Sequence, residues 1–457
     1  LSVRSYELKK NLVYSMIICL GICGCQGKEK RSQSSIPQKG TLQTAEKKTV
    51  AFMEGMPDTF HPESSVESVR KTRLTSFGLR TSPLPVPVPT EEVAREVINK
   101  PDYIKIVVRE FKVKQVVLPA YPFDYENDID ALKRLYRNHH LDAIIHDDMS
   151  ELDIMKALML YTNRFMEGGT VPSPEQDLGP SAEMITKLRR ERGIGGTSKH
   201  YAALLCQLSL SCGFNARMIG MHTLDELGEP VTHDVGEVYL NTFDKWVVFD
   251  AFEKATYYTR DNVPQSALEL HTIMLNNNYR VIEAFSGLGD FSDIISVREK
   301  LLPCYRYLYI WRMNDILGKS PRGGTIPWQA LYRYHLVWED AFTTVAGGGY
   351  DKVARFRDTS VKAYPLEGVR YVTHFTDEFD WPLNHVTFNV ERVSEKDVVV
   401  HLQTLTPNFK NFRIENGGGQ QVTAHRYTIK NMFNQFRVES VNMFGRKGPV
   451  STMMFAL

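Results

Sequence analysis

The chain has 457 residues, 42% of them hydrophobic, enough to bury two cores rather than one. Its formal charge is +1, and about −1 without residues 1–25, which hold three cations and one anion; that balance excludes the basic footprint of a nucleic-acid-binding protein. No Gly-rich phosphate loop and no metal-ligand spacing occurs, so neither a cofactor nor a metal is expected.

Arg4, Lys9 and Lys10 form a basic opening, followed by the short apolar run "NLVYSMIICLGICG", too short to span a membrane comfortably. The run ends at Ile22-Cys23-Gly24-Cys25, which resembles a bacterial lipobox with Cys25 as the lipidated residue. The alternative is a plain secretory signal or an uncleaved anchor. Lipidation at Cys25 implies export and firm attachment to a bacterial membrane. Gln26 lacks the aspartate signal that retains some lipoproteins at an inner membrane, which points to the outer membrane, on its periplasmic side or at the cell surface. Residues 26–98 read as a tether: "QGKEKRSQSSIPQKGTLQTAEKK" is polar and aperiodic, and "TSPLPVPVPTEE" is a stiff, proline-alternating spacer.

Globular character begins near Lys100. "YIKIVVREFKVKQVVLP" is β-branched and alternating, which predicts one or two strands. Helices follow at "DIDALKRLYRNH", "SELDIMKALMLYTNRFM" and "SAEMITKLRRERG", with Asp128 and Ser150 as N-caps and Gly193 as the stop of the third. "GTSKHYAALLCQLSLSCGF" then predicts a buried helix capped by Thr197, with Ser198 in its first turn where backbone N–H groups are free. His200 reads as a solvated or core-edge histidine. "HDVGEVYL" from His233 and "KWVVFDA" ending at Asp250 predict two strands. Asp234 should face away from His233 by strand alternation, and Gly236 marks either room for a substrate or a bulge.

Together these pieces resemble the core of the transglutaminase-like family, a branch of the papain-like cysteine-nucleophile fold. Tyr201, Ala202 and Leu204 match its helix pattern, and Gly213, Phe214, Ala216 and Arg217 the segment after it. His233, Glu237, Val238 and Tyr239 match its histidine strand, and Trp246 and Asp250 the next strand. The departure is Ser198, which stands where the family has its cysteine. The resemblance implies a catalytic set of Ser198, His233 and Asp250. A helix N-terminus lowers a thiol's pKa, the histidine takes its proton, and the acid orients the imidazole. A hydroxyl does not ionise this way. Serine in a thiol-built site marks a non-catalytic relative whose cleft holds a peptide or glycan. The alternative is a working amide hydrolase or acyl transferase built on Ser198, His233 and Asp250. A purely structural or assembly role at a surface complex is a third. No other cysteine can substitute: along the helix Cys206 lies about 12 Å and Cys212 about 21 Å from Ser198. Both read as small buried hydrophobes. The two are about 9 Å apart in rise, too far to bridge.

After Asp250, "SALELHTIMLNN" and "YRVIEAF" read as helical, and the chain becomes rich in aromatics: Tyr305, Tyr307, Tyr309, Trp311, Trp328, Tyr332, Tyr334 and Trp338. Such rings either fill a core or, if exposed, stack on sugars. From about 371, short strands at regular spacing with Gly and Asn turns predict a small antiparallel sandwich that resembles immunoglobulin or fibronectin-III modules. The expected fold class is α+β, a papain/transglutaminase-like core with helix packed on antiparallel sheet and a C-terminal β-sandwich. The expected division is signal peptide 1–25, tether 26–98, transglutaminase-like domain with its aromatic extension 99–370, and sandwich 371–457.

Overall fold

The computed structural model describes residues 107–114, 123–171, 181–224, 230–259, 261–276, 282–286, 302–315, 335–338, 371–415, 418–420, 423–430 and 434–456. All of them belong to the unit Met56–Leu457. The signal peptide with Cys25, the tether, and Trp328, Tyr332 and Tyr334 lie outside the described residues.

Strand β1 (Val107–Lys112) is followed by helices α1 (Ile129–Asn138), α2 (Glu151–Met166), α3 (Ala182–Arg192) and α4 (Ser198–Ser211). The caps come from the expected residues. Asp128 accepts from Ala131 N–H at 3.0 Å, Ser150 accepts from Asp153 N–H at 3.1 Å, and Gly193 ends α3 in the left-handed region at φ 65°. Helix α4 is buried on every side from His200 onward, as a helix that is apolar all round must be.

The chain continues through β2 (Asn215–Leu224), β3 (Pro230–Leu240), β4 (Lys245–Phe249), β5 (Ala255–Thr259), α5 (Ala267–Leu275), β6 (Ile282–Ser286), β7 (Tyr307–Trp311), β8 (His335–Trp338), β9 (Tyr371–Thr373) and α6 (Thr376–Phe379). A six-stranded sheet in the order β4-β3-β2-β7-β8-β9 forms the middle of this part. Its pairs are antiparallel except β8 with β9. Strand alternation splits its side chains between two cores. Val238 and Leu240 pack with the helices α1 to α4, while Val235 and Tyr239 pack with α5, Tyr257, Phe379 and Trp381. Covered on both faces, the sheet buries side chains of either parity, as the runs Trp246–Phe249 of β4 and Tyr307–Trp311 of β7 show. The fold is α+β, a helical layer on a mainly antiparallel sheet.

Two expectations are corrected. The segment "YRVIEAF" contains strand β6, not a helix: residues 282–286 pair antiparallel with β5. A run this short has no decisive period, and its pairing partner settles its form. Gly236 is not a bulge, since β3 runs in unbroken register against both β2 and β4. A Cβ there would meet Leu205 Cδ2 at 3.0 Å, so the glycine admits close approach of α4.

The last strands are β10 (Val386–Arg392), β11 (Asp397–Thr404), β12 (Phe409–Ile414), β13 (Gly418–Gln420), β14 (Ala424–Thr428), β15 (Asn434–Asn442) and β16 (Ser451–Ala456). They form a three-stranded sheet, β10-β11-β14, and a five-stranded one, β1-β16-β15-β12-β13. One core joins the two sheets, with Phe388, Val400 and Leu402 from the first and Phe412, Phe436 and Phe455 from the second. Strand β1 therefore lies in the C-terminal layers although it precedes the helices, and β9 at residue 371 still belongs to the six-stranded sheet.

Candidate functional site

Three local devices hold the turn before α4. Gly195 N–H donates to Thr170 O at 2.7 Å. Gly169 and Gly195 pass so closely that a Cβ on Gly169 would lie 2.3 Å from Gly195 Cα, so no side chain fits between the segments. Arg189 donates from Nε to Phe165 O at 2.8 Å and from Nη2 to Glu167 O at 2.7 Å, tying the end of α2 to the same turn. Thr197 is the N-cap, and its N–H donates to His200 Nδ1 at 3.1 Å in a capping box. His200 is therefore a buried structural residue. Burial, with the charge of Lys199, pushes its pKa down to about 3, so the ring is neutral at physiological pH.

Ser198 is the first residue of α4 and is half-buried. Strand β4 leaves the edge of β3 after Phe249 and turns toward β5: Asp250 N–H donates to Ala255 O at 2.8 Å. Beyond that point Asp234 N–H donates to Ser198 Oγ, at 3.2 Å. The helix N-terminus thus closes the gap where the sheet edge opens.

His233 and Asp250 meet in the same place. His233 Nε2 lies 2.6 Å from Asp250 Oδ2, and both residues are buried. The other oxygen, Asp250 Oδ1, accepts from Phe252 N–H and Glu253 N–H at 3.0 Å each. Burial lowers the imidazole pKa. The charge and hydrogen bond of Asp250, with Glu253 and Asp234 beyond it, more than offset this and hold His233 above its ordinary value. With Nε2 committed to Asp250, Nδ1 is the nitrogen left to take a proton. Among the described residues, Ser198 Oγ meets the main chain of Asp234 and makes no hydrogen bond to this imidazole.

Two residues that sequence reasoning missed, Asn163 and Phe252, support the pair. Asn163 on α2 donates from Nδ2 to Ala251 O at 2.9 Å and to Phe252 O at 3.0 Å, clamping the loop that carries Asp250. Phe252 sets its ring edge-on to His233 at 5.9 Å and to Tyr201 at 5.1 Å, yet stays 37% exposed, which makes it an apolar surface at the site's mouth. Asp234 points to the opposite face of β3 from His233, as alternation predicts, and accepts from Trp311 Nε1 at 3.1 Å. Burial raises its carboxyl above the usual range against the opposing charge of Lys199. Sequence distance hides all of these contacts.

Other motif residues serve the scaffold. Arg217 is fully buried, donating from Nε to Glu237 Oε2 at 2.7 Å, from Nη1 to Phe379 O at 2.5 Å and from Nη2 to Asp380 Oδ1 at 2.7 Å. Its guanidinium carbon lies 4.0 Å from the Trp246 ring centroid. Glu237 Oε1 accepts from Ala267 N–H at 2.8 Å, so one buried cluster joins β2, β3, α5 and the segment after α6. Burial raises the Glu237 carboxyl despite Arg217. Cys206 is buried with its Sγ donating to Arg217 O at 3.2 Å, and burial holds both its thiol and that of Cys212 above the usual range. The described aromatics Tyr305, Tyr307, Tyr309, Trp311 and Trp338 are buried and fill the cores. Among the described residues no cluster of His, Cys, Asp and Glu could hold a metal, and no helix is long and apolar enough to cross a membrane.

No family model matches the sequence, and no curated protein matches it. Among solved structures, the chain is similar to the crystal structure of red sea bream transglutaminase, with 10% identity and a TM-score of 0.23. That match covers 81% of this chain and 59% of the transglutaminase chain, so less than two thirds of the latter's length is spanned.

Proposed function

We propose that this protein is a transglutaminase-like relative whose site binds a peptide or glycan without turning it over. The observation that carries the reading is Ser198. A thiol titrates near about 8.5 and is brought toward neutrality by a helix N-terminus and a neighbouring imidazolium. A hydroxyl gains nothing comparable and needs a base within hydrogen-bond reach. Ser198 Oγ instead accepts the Asp234 N–H. In this role Ser198 and the imidazole bind polar groups of the ligand, and the exposed ring of Phe252 takes an apolar side chain or a sugar face. The two-sheet C-terminal part is a spacer of the immunoglobulin or fibronectin-III kind. A lipid at Cys25 fixes the whole to a bacterial membrane, and metabolic palmitate labelling lost in Cys25→Ala tests that part.

The preassembled His233–Asp250 pair, at 2.6 Å, favours a second reading, an amide hydrolase or acyl transferase. After a rotation of its side chain, Ser198 O–H would give its proton to His233 Nδ1 as Oγ attacks a carbonyl carbon. The imidazolium would return that proton to the leaving amine, leaving an acyl-serine for water or a second amine to resolve. A fluorophosphonate probe with mass-spectrometric mapping separates the two. The binding reading expects no adduct at Ser198 in folded protein, and saturable binding in a peptide and glycan screen. An adduct at Ser198 that vanishes in His233→Ala overturns it in favour of the enzyme.

A further inference from the structure

A second concavity lies at the other end of α4, about 20 Å along the helix from Ser198. This groove has a volume of about 580 Å³, within the size range of small-molecule sites. Lys133, Tyr136 and Arg137 of α1 form one wall, Asp147 lies on the loop between α1 and α2, and Phe444 and Arg446 come from the turn joining β15 to β16.

That turn is fixed on the helix end. Asn442 Nδ2 donates to Gly213 O at 2.8 Å, and Asn442 Oδ1 accepts from the backbone of Phe444 and Arg446 at 3.0 Å each. A Cβ on Gly213, which has φ +82°, would lie 2.4 Å from Phe444 Cβ, so only glycine allows this seat. Arg446 is then held twice: Nε donates to Cys212 O at 3.1 Å, and its guanidinium carbon sits 3.9 Å from the Phe214 ring centroid. The Nε bond occupies one carbonyl at the negative end of α4 and offsets part of the dipole that would otherwise repel an anion. Among the described residues the two Nη groups of Arg446 have no hydrogen-bond acceptor, and neither Lys133 nor Arg137 has a carboxylate partner. Three cations, Lys133, Arg137 and Arg446, line the groove with one carboxylate, Asp147, and two aromatic rings; a second carboxylate, Glu151, acts on Arg446 from outside the lining and is already held by Thr242 N–H at 2.8 Å.

We infer that this groove is a binding site for a small organic anion, a carboxylate or phosphate ester carried on an apolar or aromatic body. Arg446 supplies a preset guanidinium fork, Arg137 and Lys133 add charge from the opposite wall, and Tyr136 and Phe444 contact the body. The site is separate from Ser198 and does not depend on the function proposed above.

Calorimetric titration of the full chain with phenyl phosphate, benzoate and inorganic phosphate tests the inference. Saturable binding of phenyl phosphate or benzoate, stronger than that of inorganic phosphate, is expected, and the better probe names the anionic group. Arg137→Glu should weaken it about tenfold or more, the loss of one charge-assisted contact. Ser198→Ala should leave it unchanged. Arg137 is exposed, so its exchange leaves the fold intact, and an unchanged melting temperature verifies this. No saturable binding of any probe, binding untouched by Arg137→Glu, or inorganic phosphate binding as tightly as phenyl phosphate would each overturn the inference.

Discussion

The sharpest consequence of the Ser198 site is what a thiol would do there. In Ser198→Cys the sulfur enters at the first position of α4, at the positive end of the helix dipole and against the main chain of Asp234, the residue after His233. The helix terminus alone favours an anion by about 0.3–1 kcal/mol, or less than one pKa unit at about 1.4 kcal/mol per unit. The imidazolium form of His233 adds to this, and Asp250 favours that form against the burial that opposes it. The Asp234 carboxyl, which burial raises above its usual range against the charge of Lys199, acts in the opposite sense. The sum is a depression of about one to one and a half units from about 8.5, to a midpoint near 7–7.5. At pH 7 the thiolate fraction then rises from about 3% to about a quarter or a half. Intrinsic nucleophilicity falls with pKa and cancels part of that gain, so the pH midpoint, not the absolute rate, is the readout. Iodoacetamide alkylation of the introduced thiol, followed by mass spectrometry from pH 5 to 10, should give that midpoint, and adding His233→Ala should move it back upward. A midpoint at or above about 8.5, unmoved by His233→Ala, would show that the helix end and imidazole do not act on this position.

In Asp250→Asn the amide presents a donor or a weaker acceptor to His233 Nε2, so burial is no longer offset; NMR titration should find the His233 pKa below 6.5, and a value still above it would refute the assigned cause. Stability should follow the same group. A raised folded pKa gives a contribution that is full below the unfolded value of about 6.5 and is lost as pH rises through the folded one. Denaturation midpoints of the parent and His233→Gln should therefore converge between mild acid and alkaline pH; a gap that widens would contradict the sign. Asn163→Ala strips two carbonyl bonds from the Asp250 loop and should cost about 1–3 kcal/mol in urea unfolding, with no loss counting against the clamp. Gly195→Ala puts a Cβ within 2.9 Å of the Gly169 backbone and should cost about 1–3 kcal/mol in the same assay, whereas a neutral result would mean the two segments separate easily.

The caps and the buried helix were legible because they depend on local rules. Asp128, Ser150, Thr197 and Gly193 each act on backbone groups within a few residues, and the apolar run of α4 has only one way to be satisfied. Strand β3 was legible from its alternation. The segment at 282–286 was not, because its form depends on pairing with β5 across the intervening helix α5, Ala255 with Ser286 at the far end of the ladder and Thr259 with Ile282 at the near one. Nor could composition assign β1 to the C-terminal sheet, since an edge strand recruited across the whole chain reads like any other strand.

The site divides in the same way. His233 and Asp250 were legible as a pair because two neighbouring antiparallel strands carry them in a spacing that one sheet can close, and they lie 2.6 Å apart. The carboxylate's second oxygen, the Asn163 clamp and the Phe252 ring come from a loop and a helix whose positions no spacing predicts. Above all, the letters Ser, His and Asp do not say what the hydroxyl faces. That follows from where β4 ends: once the strand turns away after Phe249, Asp234 N–H needs an acceptor, and Ser198 Oγ is the one in reach. A sulfur in the same place would be a poorer acceptor and a better acid. In this chain the hydroxyl accepts the Asp234 N–H at 3.2 Å, while the histidine and aspartate pair with each other at 2.6 Å.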